Sequence, residues 1–168
     1  MDAAQQRVGL GERKAQESGT VPRERGAWLF YVAALVSLAG LTDAVYLTIG
    51  YLTGADFRCT ITSGCNEVLG SSYASIGGMP LAALGALAYF AVFSLATLAA
   101  FNYRRAVTAL KALVASMLLV TFWLLYLQAF VIHHYCQYCL FSAAIVLALN
   151  LIIFIAPLLI KRGQYHLR

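Results

Sequence analysis

Four apolar stretches, each long enough to cross a bilayer, constrain this chain more than any other feature. One crossing of the roughly 30 Å hydrocarbon layer takes about 20 apolar residues at about 1.5 Å of helical rise each. The sequence supplies such runs from about Ala27 to Thr53, Met79 to Phe101, Ala106 to Ile132 and Tyr138 to Ile160. Backbone polar groups find no water in lipid, so spanning segments of this kind fold as helices. The chain is 61% hydrophobic, has a mean hydropathy of +0.76 and carries only 11% charged residues, whereas soluble domains run about 45–50% apolar. The composition therefore predicts an all-α integral membrane protein, a four-transmembrane-helix bundle whose outer surface is covered by lipid. Residues 27–161 form the one membrane domain. Residues 1–26 are polar, lack an apolar period and read as a disordered tail, and residues 162–168 form a second short tail. The first apolar run exceeds the roughly 7–15-residue core of a cleaved secretory signal, so it is expected to remain as the first span.

The net charge of +5 does not point to nucleic acid, because the basic residues sit between apolar runs and build no soluble basic face. They read instead as topology signals. Arg7, Arg13, Lys14, Arg23 and Arg25 precede the first span; Arg104, Arg105 and Lys111 lie at the link between the second and third; Lys161, Arg162 and Arg168 follow the fourth. Only Arg58 falls in the opposite set of loops. Both termini are thus expected in the cytoplasm of a multi-pass inner or plasma membrane protein, with residues 54–78 and 133–137 on the periplasmic or extracellular side.

All four cysteines fall in that second set of loops. Cys59 and Cys65 lie in the long outer loop, and Cys136 and Cys139 lie where the third span passes to the fourth. Outside the cytoplasm is where disulfides form and persist. Cys136-Gln137-Tyr138-Cys139 is a Cys-x-x-Cys motif at the expected N-terminus of a helix, where free N–H groups favour a thiolate. The spacing of three puts both sulfurs on one face, with Cys139 one turn, about 4.5 Å, deeper. The deeper sulfur suits a lipid-soluble partner and the shallower one a water-side partner. Cys59 and Cys65, separated by Thr60-Ile61-Thr62-Ser63-Gly64, form a pair able to close a disulfide or swing apart. Exchange requires a thiolate to reach a disulfide sulfur, so a movable pair above an anchored Cys-x-x-Cys is the arrangement of an electron shuttle. Two plainer readings remain: a pair of structural disulfides, or a Cys/His metal-binding membrane protein using His133 and His134 as further ligands. Against the metal reading, the Cys59–Cys65 spacing is wider than usual zinc motifs.

The spaced cysteine pair, then Ser71-Ser72-Tyr73, then Gly77-Gly78-Met79-Pro80 opening a span, then Cys-x-x-Cys opening the last span, resembles the vitamin K epoxide reductase family, its bacterial members most. The resemblance covers about residues 30–160 and includes Ala44-Val45-Tyr46-Leu47-Thr48 and Gly64-Cys65-Asn66-Glu67-Val68-Leu69. It implies a four-helix bundle around a quinone of ubiquinone or menaquinone type, with a short half-helix in the outer loop near Cys65 to Ser72. It also implies roles for the cysteines. Cys139 contacts the quinone, Cys136 accepts the exchange from the loop, Cys65 is its loop partner, and Cys59 meets a thioredoxin-like protein. Ser71 matches a pocket-side serine. Many bacterial relatives continue into a fused thioredoxin-like domain, whereas this sequence ends at Arg168, so the expected partner is a separate thioredoxin-like oxidase unless such a domain lies beyond that residue. Where the vertebrate enzymes carry a pocket tyrosine this chain has Ala143, which favours plain quinone reduction over epoxide reduction. The bacterial disulfide-bond oxidases with four spans place their Cys-x-x-Cys in the first outer loop, the reverse of the order here. The function so implied is a membrane thiol-disulfide oxidoreductase that carries electrons from the thioredoxin-like protein through two cysteine pairs to the quinone, supporting disulfide formation.

Asp43, an ionisable residue inside the first span, is read either as a group near the quinone that delivers protons or as a neutral carboxyl hydrogen-bonded within the bundle. His133 either assists the Cys136 thiolate or is an interfacial histidine at a helix end. Tyr46, Tyr51, Tyr73, Tyr126, Tyr135 and Tyr138 read first as an aromatic belt, and Gly77, Gly78 and Pro80 as a turn re-entering the membrane.

Overall fold

The computed structural model describes residues 23–155, apart from residues 58, 60–63 and 102. Four helices among them are long and apolar enough to cross a membrane, over Trp28–Thr53, Leu81–Ala100, Arg105–Ile132 and Gln137–Ile155. The first lies within α1 (Arg23–Thr53), which begins four residues ahead of the expected Ala27. Residues 1–22 and 156–168, with most of the expected N-terminal tail, the expected last turns of the fourth span and the C-terminal tail, lie outside the described residues. After α1 come the short α2 (Cys65–Leu69), a 3-10 turn at Ser72–Ala74 and an antiparallel hairpin of β1 (Ser75–Ile76) and β2 (Met79–Pro80). The remaining spans are α3 (Leu81–Ala100), α4 (Arg104–Tyr126) continued by a π-helical segment (Leu127–Ile132), and α5 (Gln137–Asn150) continued by a second (Leu151–Ile155).

The half-helix expected over Cys65 to Ser72 is therefore real but shorter, ending at Leu69. The hairpin behind it is the turn expected at Gly77 and Gly78, whose φ values of 60° and 84° belong to the two-residue turn that matches strand twist. Pro80 ends that hairpin and caps α3, a place where its missing N–H breaks no ladder.

Small side chains let the helices approach closely, as they must where lipid supplies no hydrophobic force between them. Ala33, Ala34, Val92, Ala96, Leu110, Val114, Val146 and Leu149 form the buried core of the bundle. A Cβ on Gly40 would run into the ring of Tyr89, so the Tyr89 side chain of α3 packs directly on the backbone of α1 there. Large apolar residues such as Leu35, Leu87, Phe90, Leu119 and Trp123 point outward and are exposed. In water this surface would be a liability; in hydrocarbon it is the required exterior.

The up-down course places the loop after α1 and the segment after the third span at one end. A second, smaller cluster packs there, built from Cys65, Val68 and Cys136 with Phe57, Cys59, Leu69, Tyr138 and Cys139 against it.

Candidate active site

The two cysteine pairs meet because local features at both chain segments bring them together. On the loop side, Phe57 donates its backbone N–H to Asn66 Oδ1 at 2.9 Å, and its ring packs near Tyr46 and Tyr138, with ring centres 6.1 and 6.4 Å away. A side chain on Gly50 would collide with that ring. The loop is thus folded back over the bundle, and Cys59 and Cys65 are joined as a disulfide with Cα atoms 6.1 Å apart. Gly64 lies against the segment after the third span: a Cβ there would stand 2.7 Å from Cβ of His134 and 3.0 Å from the backbone N of Tyr135. Only a glycine lets Cys65 come this close, and both Cys65 and Cys136 are almost wholly buried.

On the other side, the third span ends at His133, whose φ of 59° is left-handed and uncommon for a residue with a Cβ. The chain turns there and runs extended into Cys136, the N-cap of α5. Cys136 donates its backbone N–H to Gln128 Oε1 at 3.1 Å, and its carbonyl accepts from Leu140 N at 3.0 Å. The Cys139 thiol hydrogen-bonds to the Cys136 sulfur and lowers its pKa from the ordinary value to about 7. Burial opposes this, while the backbone N–H groups of Cys139 and Tyr138 at the helix start assist it. Cys136 is the sulfur of this free pair that holds negative charge near neutral pH.

Below the cysteines lies a cavity of about 150 Å³, a volume of the order that accepts one aromatic ring. Its walls are mainly apolar, including Leu47, Val68, Leu124, Leu127 and Ile132, and Cys139 borders it whereas Cys136 does not. The polar groups at its edge are Asp43, Tyr51, Ser71, Tyr73, Tyr89, Thr121, Gln128 and Ser142. Tyr89 Oη lies 2.7 Å from Ser142 Oγ and 3.1 Å from the Ser142 carbonyl. Ser71 donates its hydroxyl to the Val68 carbonyl at 2.7 Å. Oδ2 of Asp43 is buried with no hydrogen-bond partner among the described residues. Apolar walls with few convergent polar groups suit a flat, lipid-soluble carbonyl compound, and an uncommitted carboxyl suits its oxygens, so the residues fit a quinone. Ala143, one turn beyond Cys139, also borders the cavity; a large side chain there would occupy the space the alanine leaves.

The sequence-derived candidates Cys59, Cys65, Cys136 and Cys139 thus come together, and Ser71 lies on the cavity wall. His133 is exposed, and its ring faces the Val131 carbonyl at 3.3 Å. Among the described residues no group of three or more His, Cys, Asp or Glu converges, so the metal-binding alternative has no donor set there. The sequence reading missed Gln128. Its signal was present: a polar amide inside an apolar span, where such groups are expensive and face the interior.

A helical membrane bundle that packs two cysteine pairs together, one closed and one bordering an apolar cavity, defines the class of membrane thiol oxidoreductases. Residues 31–154 match the model of the Vitamin K epoxide reductase family. The match takes in all four cysteines and nearly all of the four spans, and the chain belongs to that family. It is accordingly a multi-pass membrane redox protein of a family associated in general with quinones and thioredoxin-like partners.

Proposed function

We propose that the protein oxidises a separate thioredoxin-like protein outside the cytoplasm and delivers the electron pair to a quinone, so that exported proteins acquire disulfides. The partner's thiolate attacks Cys59 of the Cys59–Cys65 disulfide, forming a mixed disulfide and freeing Cys65. Resolution by the partner's second thiol leaves both loop cysteines reduced. Cys65 then attacks Cys136 of a Cys136–Cys139 disulfide, and Cys139 departs as a thiolate facing the cavity. Cys59 displaces Cys136 from Cys65, which restores the loop disulfide and leaves the lower pair reduced. A quinone bound in the cavity supplies a two-electron, two-proton acceptor. Cys139 hands over the pair as the Cys136–Cys139 bond re-forms. Ser71, with its own proton committed to Val68, shapes the cavity wall and offers a lone pair.

The single observation that carries this order is the division of labour within the Cys-x-x-Cys pair: Cys136 packs against Cys65, and Cys139 borders the cavity. The test is replacement of Cys139 by Ala, with quinone reduction by a small dithiol followed in detergent. Turnover should vanish, and undiminished turnover would rule the assignment out. Cys59→Ala should spare the reaction with small dithiols, which reach the lower pair without the loop, yet abolish the reaction with the thioredoxin-like protein.

A further inference from the structure

We propose that Asp43 is a proton donor of this site, its buried and unpartnered carboxyl bordering the same cavity as Cys139 and delivering a proton to a quinone oxygen there. The inference rests on the quinone-reduction reading above and adds the proton path that reading lacks.

The need for a second donor follows from the charge state of the cysteines. In reduced pairs whose Cys136 is ionised, a form that the lowering of its pKa to about 7 populates near neutral pH, one proton remains, on Cys139. Reduction of a quinone takes two. When the sulfur–sulfur bond forms, Cys136 and Cys139 lose two electrons, Cys139 releases its proton to one acceptor oxygen, and Asp43 releases its own to the other. The pair ends as a disulfide, Asp43 ends as a carboxylate, and a quinol leaves; the net charge of −1 on the group is unchanged. The proton that Cys136 gave up to solvent returns to Asp43 before the next turnover, so the two protons of the dithiol appear on the quinol.

Four of the other polar side chains facing the cavity are engaged in hydrogen bonds, and Tyr51, Tyr73 and Thr121 present hydroxyls rather than a carboxyl. From α3 and α5, Tyr89 and Ser142 bind each other. After α2, Ser71 donates to Val68, and from the π-helical segment the carbonyl of Gln128 takes the Cys136 N–H. Asp43 alone presents a buried side-chain oxygen with no partner among the described residues, and the side chain is 9% exposed. Among the described residues no salt-bridge cation compensates it, and a bare carboxylate in an apolar enclosure is costly, so the group rests as the neutral acid.

The test uses the full chain in detergent, reduced and mixed without oxygen with a short-chain ubiquinone analogue in a single turnover. Asp43→Asn keeps the shape but has no acidic proton. Quinol formation should slow by about 100-fold, the lower end for loss of a general acid, while binding of the analogue by equilibrium dialysis is retained and Asp43→Glu recovers part of the rate. Infrared difference spectra should show the carbonyl stretch of a protonated carboxyl that shifts when the analogue binds and is missing in Asp43→Asn. Wild-type quinol formation by Asp43→Asn, loss of analogue binding with the rate, or the absence of that band from the wild-type protein overturns the proposal. If the wild-type chain forms no quinol at all, the quinone reading of the cavity fails instead, and the infrared band still reports the state of Asp43.

Discussion

Gln128 sits on the π-helical turn that ends the third span, and its amide oxygen holds the N–H of Cys136, eight residues further on. That N–H heads α5 and has no carbonyl of its own helix to bind, so a leucine at 128 would strand a buried donor. The cost of such a group is about 1–3 kcal/mol, and Gln128→Leu should lower the thermal unfolding midpoint in detergent and slow exchange between Cys65 and Cys136. An unchanged midpoint would mean that another acceptor replaces the glutamine. A second residue-scale outcome follows from the thiol of Cys136, lowered to about 7 by the hydrogen bond from Cys139. Because the shift is downward, the thiolate is present above about 7 and is lost as pH falls through that value. With the Cys59–Cys65 disulfide intact, thiolate ultraviolet absorbance should rise with a midpoint near 7, and Cys139→Ala should move the midpoint upward. A midpoint that ignores Cys139→Ala would remove the hydrogen bond as its cause.

The loop between α1 and α3 is organised by contacts with distant elements rather than by its own propensities. Gly64 is the clearest case, since its missing Cβ is what admits the loop to the segment at His134 and Tyr135. Gly64→Ala should push Cys65 away from Cys136 while leaving the lower pair beside its cavity. Reduction of quinone by small dithiols is then expected to persist, and reduction driven through the loop to fall by up to about 100-fold, the scale of a misplacement near 1 Å. Equal loss of both reactions would place the defect in the bundle instead. These contacts mark the limit of what the chain's pattern discloses. The Cys-x-x-Cys at a helix start is local, a matter of spacing and of where an apolar run begins, and the half-helix near Cys65 was legible through the family resemblance. The clasp of Asn66 on Phe57 and the reach of Gln128 to Cys136 span nine and eight residues, and Tyr138 meets Tyr46 and Phe57 from a distant part of the chain; no helical or strand period reports any of them. The π-helical continuations at Leu127–Ile132 and Leu151–Ile155 were equally hidden, because an apolar run looks the same in either kind of helix.

At the scale of the whole molecule, four spans were legible because hydrocarbon imposes one length and one polarity on whatever crosses it. The start of α1 at Arg23 was not, because a helix need not stop where lipid does; polar residues continue it into water. Two ends result, one bearing the cysteines and the other Arg104, Arg105 and the start of α1. Basic residues are retained on the cytoplasmic side, and among the described residues Arg23, Arg25, Arg104, Arg105 and Lys111 lie toward the end away from the cysteines. A single cysteine at exposed Tyr73, in a chain otherwise stripped of cysteine, should therefore react in intact cells with a maleimide that cannot cross membranes, while one at exposed Tyr103 should react only after the membrane is opened. Labelling of position 103 from outside would reverse the orientation and set the thiol exchange in the cytoplasm. There, reducing thiol pools would oppose the oxidation that the cavity and its quinone drive.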